Sequence, residues 1–295
     1  FRIERMNITD AEMRLHSMKV SNSTGYIFLD DEGKGVNNDP FTNNPLRGDT
    51  EVRLASNLLE LSEAQGYPQE RISCEEEERS RQGYEIEKFF SIPKGMDSVK
   101  KITLSSNGTP LINMYFGPAA RLVEVNKKWR ISKEDEGFAI GKATGIWKQK
   151  KELENPNPSD PASKVQLYTW DTADIIYIQP IEALALPYEG VITLTYALKR
   201  AIERLFQIEE NEIDAWIMGK KESSNILIFE AAEGSLGILS QIIENTHLLR
   251  KVFTEAYKVC HFDPATRTDT KPDEPKASYD NLLSYYNQPM HDVID

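Results

Sequence analysis

The chain has 295 residues, of which 39% are hydrophobic and 28% charged, and a net charge of −12. That balance fits a globular chain able to bury a real core, and no stretch approaches the ~18 consecutive apolar residues of a membrane span. An acidic chain does not attract phosphates over its whole surface, so a nucleic-acid contact has to be a local basic patch or come from a partner.

The first residues, FRIERMNITD, hold neither an initiator Met nor an apolar signal region, so the segment is expected to be a piece of a longer chain. Cys74 and Cys260 are the two cysteines. So few thiols, so far apart, argue against a disulfide framework and for a reducing cytoplasm.

Taken in chain order, Thr9 with Glu12 three residues later forms a capping box for a short helix through Met18. TGYIFLDD reads as a strand, and residues 33–49 as a long polar loop. TEVRLASNLLELSEAQG has helical character, with Thr50 to cap it and Gly66 to stop it. The stretches YEIEKFFSI, VKKITLSS, PLINMYFG and GFAIGKATGIWKQ then read as strands divided by Gly, Asn and Pro. The Asn-Gly at 107–108 marks a hairpin, because both residues accept a positive φ.

KELENPNPSDPASK, residues 151–164, reads as a linker. It divides a β-rich region, 1–150, from a second region, 165–295. In the latter, SKVQLYTWDTADIIYIQPI is expected to hold two strands. A helix follows with the stripe Leu194, Leu198, Ala201, Ile202 and Leu205, leaving Lys199, Arg200 and Glu203 outside. IDAWIMG and NILIFEA read as a strand pair, and EGSLGILSQIIEN begins another helix. Thr246 can cap a further helix, whose stripe is Leu249, Val252, Phe253, Ala256, Tyr257 and Cys260. A last helix is expected over 276–292 on the spacing of Tyr279, Leu282, Leu283 and Tyr286. Without a regular βαβ rhythm the fold class is α+β.

Candidate chemistry is sparse. GFAIGKATG, with Gly137, Gly141 and Lys142, has three residues between its glycines, and Ala143 stands where a phosphate loop has Ser or Thr. It reads as a glycine-turned hairpin, and no ATP site is assigned. No Gly-x-Ser-x-Gly elbow occurs, and the histidines, 16, 247, 261 and 291, are scattered. Gly234 and Ser235 in EGSLG suit a tight strand-to-helix turn, with anion binding at the helix start as the lesser reading. Glu230 and Glu233 end an apolar strand, where an acid pair could serve a hydrolase. Cys260 is either a ligand beside His261 and Asp263 or the last member of an apolar stripe. Arg121, Asn126, Lys127, Lys128, Trp129 and Arg130 mix cations, an amide and an aromatic ring, as phosphate contact and base stacking require. A solvated strand edge is the alternative for them.

The stretches TLTYALKRAIERLFQIEENEI, LIFEAAEGSLGILSQI, KVCHFDP and SYDNLLSYYNQPMHDVID, in this order, resemble the MZB-type helicase-associated zinc-binding domain. That domain is found toward the C-terminal side of large superfamily 2 DNA helicases and in related anti-phage defence proteins. SCEEEERSRQGYEIEKFF and YFGPAARLVEVNKKW resemble the segment preceding it. The resemblance implies a non-catalytic accessory region whose partners are an upstream helicase core, in the same chain or complex, and DNA. It also implies a zinc held by four cysteines. Carried onto this sequence those positions are Cys260, Glu274, Ser278 and Asn281. With one thiol left, the zinc is expected to be lost and no cofactor is expected in this segment. The loop is then expected to be held by side-chain hydrogen bonds and by packing of Tyr279, Leu282, Leu283 and Tyr286.

Overall fold

The computed structural model describes residues 15–21, 27–28, 52–60, 84–92, 99–129, 137–141, 148–219, 224–232 and 234–294. Thr9, Thr50, Gly66, the expected loop 33–49 and the acidic run 74–81 lie outside the described residues. The fold is α+β. No helix among the described residues is long and apolar enough to cross a membrane.

The strands are β1 (Leu15–Ser21), β2 (Ile27–Phe28), β3 (Val52–Glu60), β4 (Tyr84–Ile92), β5 (Lys100–Ser106), β6 (Thr109–Trp129), β7 (Phe138–Gly141), β8 (Ala162–Pro180), β9 (Ile213–Met218) and β10 (Asn225–Glu230). The helices are α1 (Lys151–Glu154), α2 (Tyr188–Phe206), α3 (Ile238–Glu244) and α4 (Thr246–Val259). The main path of the sheet is β1-β3-β8-β6-β4-β2, with β5 paired to β6, and β7 and β10 to β8, while β9 pairs with β10. The β2–β4 and β3–β8 pairs are parallel.

Two expected helices are strands instead. Residues 15–18 belong to β1, which pairs antiparallel with β3. VRLASNLLE is β3 itself, held between β1 and β8. Around β3, strand partners on both sides override the local helical preference of Leu, Ala and Glu.

The scaffold is the long β6–β8 ladder, running from Ile112↔Pro180 to Asn126↔Leu167 with a break between Gly117 and Ala120. Pro118 has no N–H for the ladder, which explains the bulge there. Ala119 takes a positive φ of 50°, and its N–H, diverted from the ladder, donates to Asp174 Oδ1 at 2.9 Å. The chain therefore bends and continues, where the sequence had the strand ending at Gly117. Opposite the bulge, β8 is one strand, where the sequence had two. Residues 151–164, expected as a linker, hold α1, an Asn157–Asp160 bridge and the start of β8, which pairs there with β7.

Each face of the sheet carries a core. Ile112, Met114, Phe116, Ile176, Ile178, Ile226 and Ile228 pack against apolar residues of α2, α3 and α4. The alternate residues Tyr115, Ile175, Tyr177, Leu227 and Phe229, with Phe90, Leu122 and Trp216, form the second core. The hairpin at Asn107 and Gly108 forms with φ of 50° and 81°, as its sequence demands.

α2 departs from its expected pattern in one respect. Lys199 and Glu203 are buried, not outside the apolar stripe. Lys199 Nζ donates to Glu203 Oε1 at 2.7 Å and to the Glu210 carbonyl at 2.6 Å, and Arg200 reaches Glu203 Oε2 at 3.0 Å. The charges are tolerated because each is paired and hydrogen-bonded. The cap of α4 also differs. Asn245, not Thr246, accepts the backbone N–H groups of His247 and Leu248.

Candidate functional site

The C-terminal loop carries the residues expected to descend from a zinc site. Cys260 caps the end of α4, half-buried, and burial pushes its thiol pKa up. His261 follows at a positive φ of 63° and turns the chain. Asp263 Oδ1 accepts the N–H groups of Ala265 and Thr266 at 2.7 and 2.8 Å. Those two donors, Thr266 first, hold its carboxyl below the ordinary carboxylate pKa.

The helix expected over 276–292 does not form. The segment is a series of turns with one 3₁₀ turn at Gln288–Met290. The cause is a six-residue repeat, SYDNLL then SYYNQP, that competes with helical hydrogen bonding. In the first copy, Asn281 Oδ1 accepts from Ser278 N at 2.6 Å and Ser278 Oγ at 3.1 Å. Its Nδ2 donates to the Lys276 carbonyl at 2.7 Å and lies 3.2 Å from His261 Nε2. In the second, Asn287 Oδ1 accepts from Ser284 N at 2.8 Å and His291 Nε2 at 2.9 Å, and Nδ2 donates to the Leu282 carbonyl at 2.8 Å. Both asparagines are 3% exposed. Each turn therefore closes around a buried amide whose polar atoms are satisfied.

Ser278 and Asn281 thus meet each other, and Asn281 reaches the residue after Cys260. Glu274 instead pairs with Lys271 at 2.7 Å on an exposed turn. One half-buried thiol, a hydroxyl, an engaged amide and a paired carboxylate do not fit the thiolate- or imidazole-rich set that a structural zinc takes. Among the described residues no group of three or more His, Cys, Asp or Glu is placed to hold a metal ion. Leu282 is buried, as expected, and Leu283 packs against the helix-side core. Tyr279 and Tyr286 do not pack inward; they are 60% and 66% exposed. The loop docks on α2, where Arg204 donates to the Asp280 carbonyl at 3.0 Å.

Glu230, the hydrolase candidate, ends β10 and is buried. Its Oε1 accepts from Leu239 N at 2.8 Å, and its Oε2 from Gly237 N at 2.9 Å and Ser235 Oγ at 2.7 Å. The anion held by the EGSLG turn is thus the chain's own carboxylate. Both oxygens are committed to ordering the start of α3, a structural assignment. Glu233 lies outside the described residues.

Gly141, in the stretch compared with a phosphate loop, sits in β7. A Cβ there would lie 2.4 Å from Asp160 Oδ2. That carboxylate pairs with Lys148 at 2.7 Å and, through that bond, raises the lysine's pKa. Lys142 lies outside the described residues.

Arg121, Asn126, Lys127, Lys128 and Trp129 all lie on β6, and Arg130 lies outside the described residues. The Arg121 guanidinium stacks 4.3 Å from the Trp170 ring centre. Lys128 pairs with Glu85 at 3.5 Å, and Asn126 is buried. The β4–β6 pairing shifts register within this group, from Glu85↔Lys128 to Ile86↔Asn126, so regular strand alternation is interrupted there.

On the face opposite the helices lies an open groove of about 380 Å³. It is not legible in the linear sequence, because Lys88, Glu124, Asp171, Asp214 and Trp216 come from four separate strands. Lys88 sits over the Trp216 ring at 4.8 Å and 3.4 Å from Glu124.

No family model matches the sequence, and no curated protein matches it. Among solved structures the chain has a weak likeness to the DUF1998 helicase MrfA bound to DNA, with a TM-score of 0.36 and 9% identity. The likeness covers 65% of this chain and 24% of that one, so the chain spans about a quarter of that helicase's length.

Proposed function

We propose that this chain is a non-catalytic accessory region of an ATP-dependent DNA helicase or translocase, shaping the DNA path or coupling the motor to other domains. A role in phage defence follows from the same family resemblance. One observation supports the reading beyond sequence. Positions that correspond to zinc ligands in that family, Ser278 and Asn281, still come together, and Asn281 still reaches the end of the α4 helix at His261. Hydrogen bonds of an amide join what a metal joins elsewhere. Glu230, the carboxylate that favoured a hydrolase, is occupied in holding a helix start.

Local DNA contact is assigned to Arg121, Lys127 and Lys128. The test is binding of single-stranded and forked oligonucleotides to the chain over a range of salt. The expected result is weak binding with a shallow salt slope, because few phosphates are neutralised. It should weaken further in the Arg121→Ala/Lys128→Ala variant. No binding at low salt, together with unchanged DNA-stimulated ATP hydrolysis by the parent protein carrying that variant, overturns the reading. A protein-interaction scaffold is the second reading, favoured by the net charge of −12.

A further inference from the structure

The groove opposite the helices is a built surface, and strand register defines it. Lys88 stands across from Glu124, Glu124 from Thr169, and Leu122 from Asp171. Phe229 stands across from Ile175 on one side and Asp214 on the other. Residues directly opposite share a face, as do residues two apart along a strand. This brings Trp216 to the same face. The floor is apolar and buried: Leu122, Trp216 and Phe229, with the two rings edge-on at 4.9 Å. The walls carry one cation, Lys88, against four carboxylates, Glu124, Asp171, Asp214 and Glu230, the last already held by the start of α3.

Glu124 is satisfied by Lys88. Asp171 and Asp214 are not matched in this way. Each accepts the next residue's backbone N–H on Oδ1, at 2.7 and 2.8 Å. Among the described residues neither forms an ion pair, and no acid cluster is placed to hold a metal ion. A phosphate is repelled here. A Lys or Arg side chain is complementary, because its aliphatic stem covers apolar floor while its head meets carboxylate. Lys88 already shows the chemistry from inside the chain, an ammonium between an indole ring and a carboxylate.

We propose that this groove docks Lys or Arg side chains presented by an exposed basic segment of a partner protein, with the incoming cations against Asp171 and Asp214. The proposal is independent of the helicase reading, since it rests on the groove alone.

The probe is a synthetic peptide of alternating arginine and glycine, titrated onto the whole chain by calorimetry beside its citrulline counterpart. Saturable binding of the arginine peptide, and none of the citrulline peptide, is expected. Asp171→Asn/Asp214→Asn, which can keep both backbone hydrogen bonds, should weaken it about tenfold. Lys88→Met should tighten it a few-fold by freeing the ring and Glu124. A control with the same charge change, Glu244→Gln/Glu274→Gln, should bind as the parent does, and circular dichroism checks that all variants fold. The proposal is overturned if the control weakens as much as the groove variant, if the groove variant binds normally, or if spermidine binds as tightly as the peptide.

Discussion

Asn281 and Asn287 do at residue scale what a bound ion does in a metal-held loop: each collects several chain segments on one small polar group. Both are buried, so truncation leaves unsatisfied donors and acceptors. Asn281→Ala and Asn287→Ala should each lower stability by about 1–3 kcal/mol in urea unfolding. Tyr279→Ala, on the same loop but exposed, should change it by less than about 0.5 kcal/mol. Glu230→Gln keeps the shape but removes the charge that faces the start of α3, and should cost roughly 2–3 kcal/mol. Tyr196 gives a pH signature. Burial, then the charge of Asp214 and then Tyr188, push its hydroxyl from an ordinary 10.0 up to about 12. A pKa raised in the folded state means its contribution is whole below pH 10 and is lost as pH rises from 10 through 12. Unfolding midpoints across that window should fall more steeply than in Tyr196→Phe.

Among the elements, those with a strong internal period were legible: β4, β5, the β9–β10 pair, α2 and α4 all stand where hydrophobic spacing put them. The misses share a physical cause. The β3 sequence reads as a helix because Leu, Ala and Glu favour one locally, while partner strands on both sides decide otherwise. β6 was cut at Gly117-Pro118 because a proline inside a strand normally ends it, whereas Asp174 rescues the N–H freed at the bulge. The spacing of Tyr279, Leu282, Leu283 and Tyr286 suggests a last helix, but the repeated Ser-Tyr-x-Asn beside it is the stronger signal, since Ser and Asn three apart favour side-chain turns over helix. The groove was not legible at all, since register between distant strands creates it. Packing between elements is tight at Gly141, where β7 meets the Asp160 carboxylate. Gly141→Ala should destabilise by about 1–3 kcal/mol, because Lys148 holds that carboxylate in place. An unchanged melting temperature in that variant would mean that the Asp160 loop yields freely.

In the whole molecule, one sheet serves two unlike surfaces. The helix side is closed by α2, α3 and α4 and by the Ser-Tyr-x-Asn turns docked on α2. The opposite side carries the acidic groove around Trp216. The most direct measurement is zinc content by elemental analysis of the purified whole chain, joined to thermal unfolding with and without a chelator. If the Asn281 and Asn287 turns organise the loop, zinc is well below one per chain and the midpoint does not move. One tightly held zinc per chain, whose removal lowers the midpoint, contradicts it.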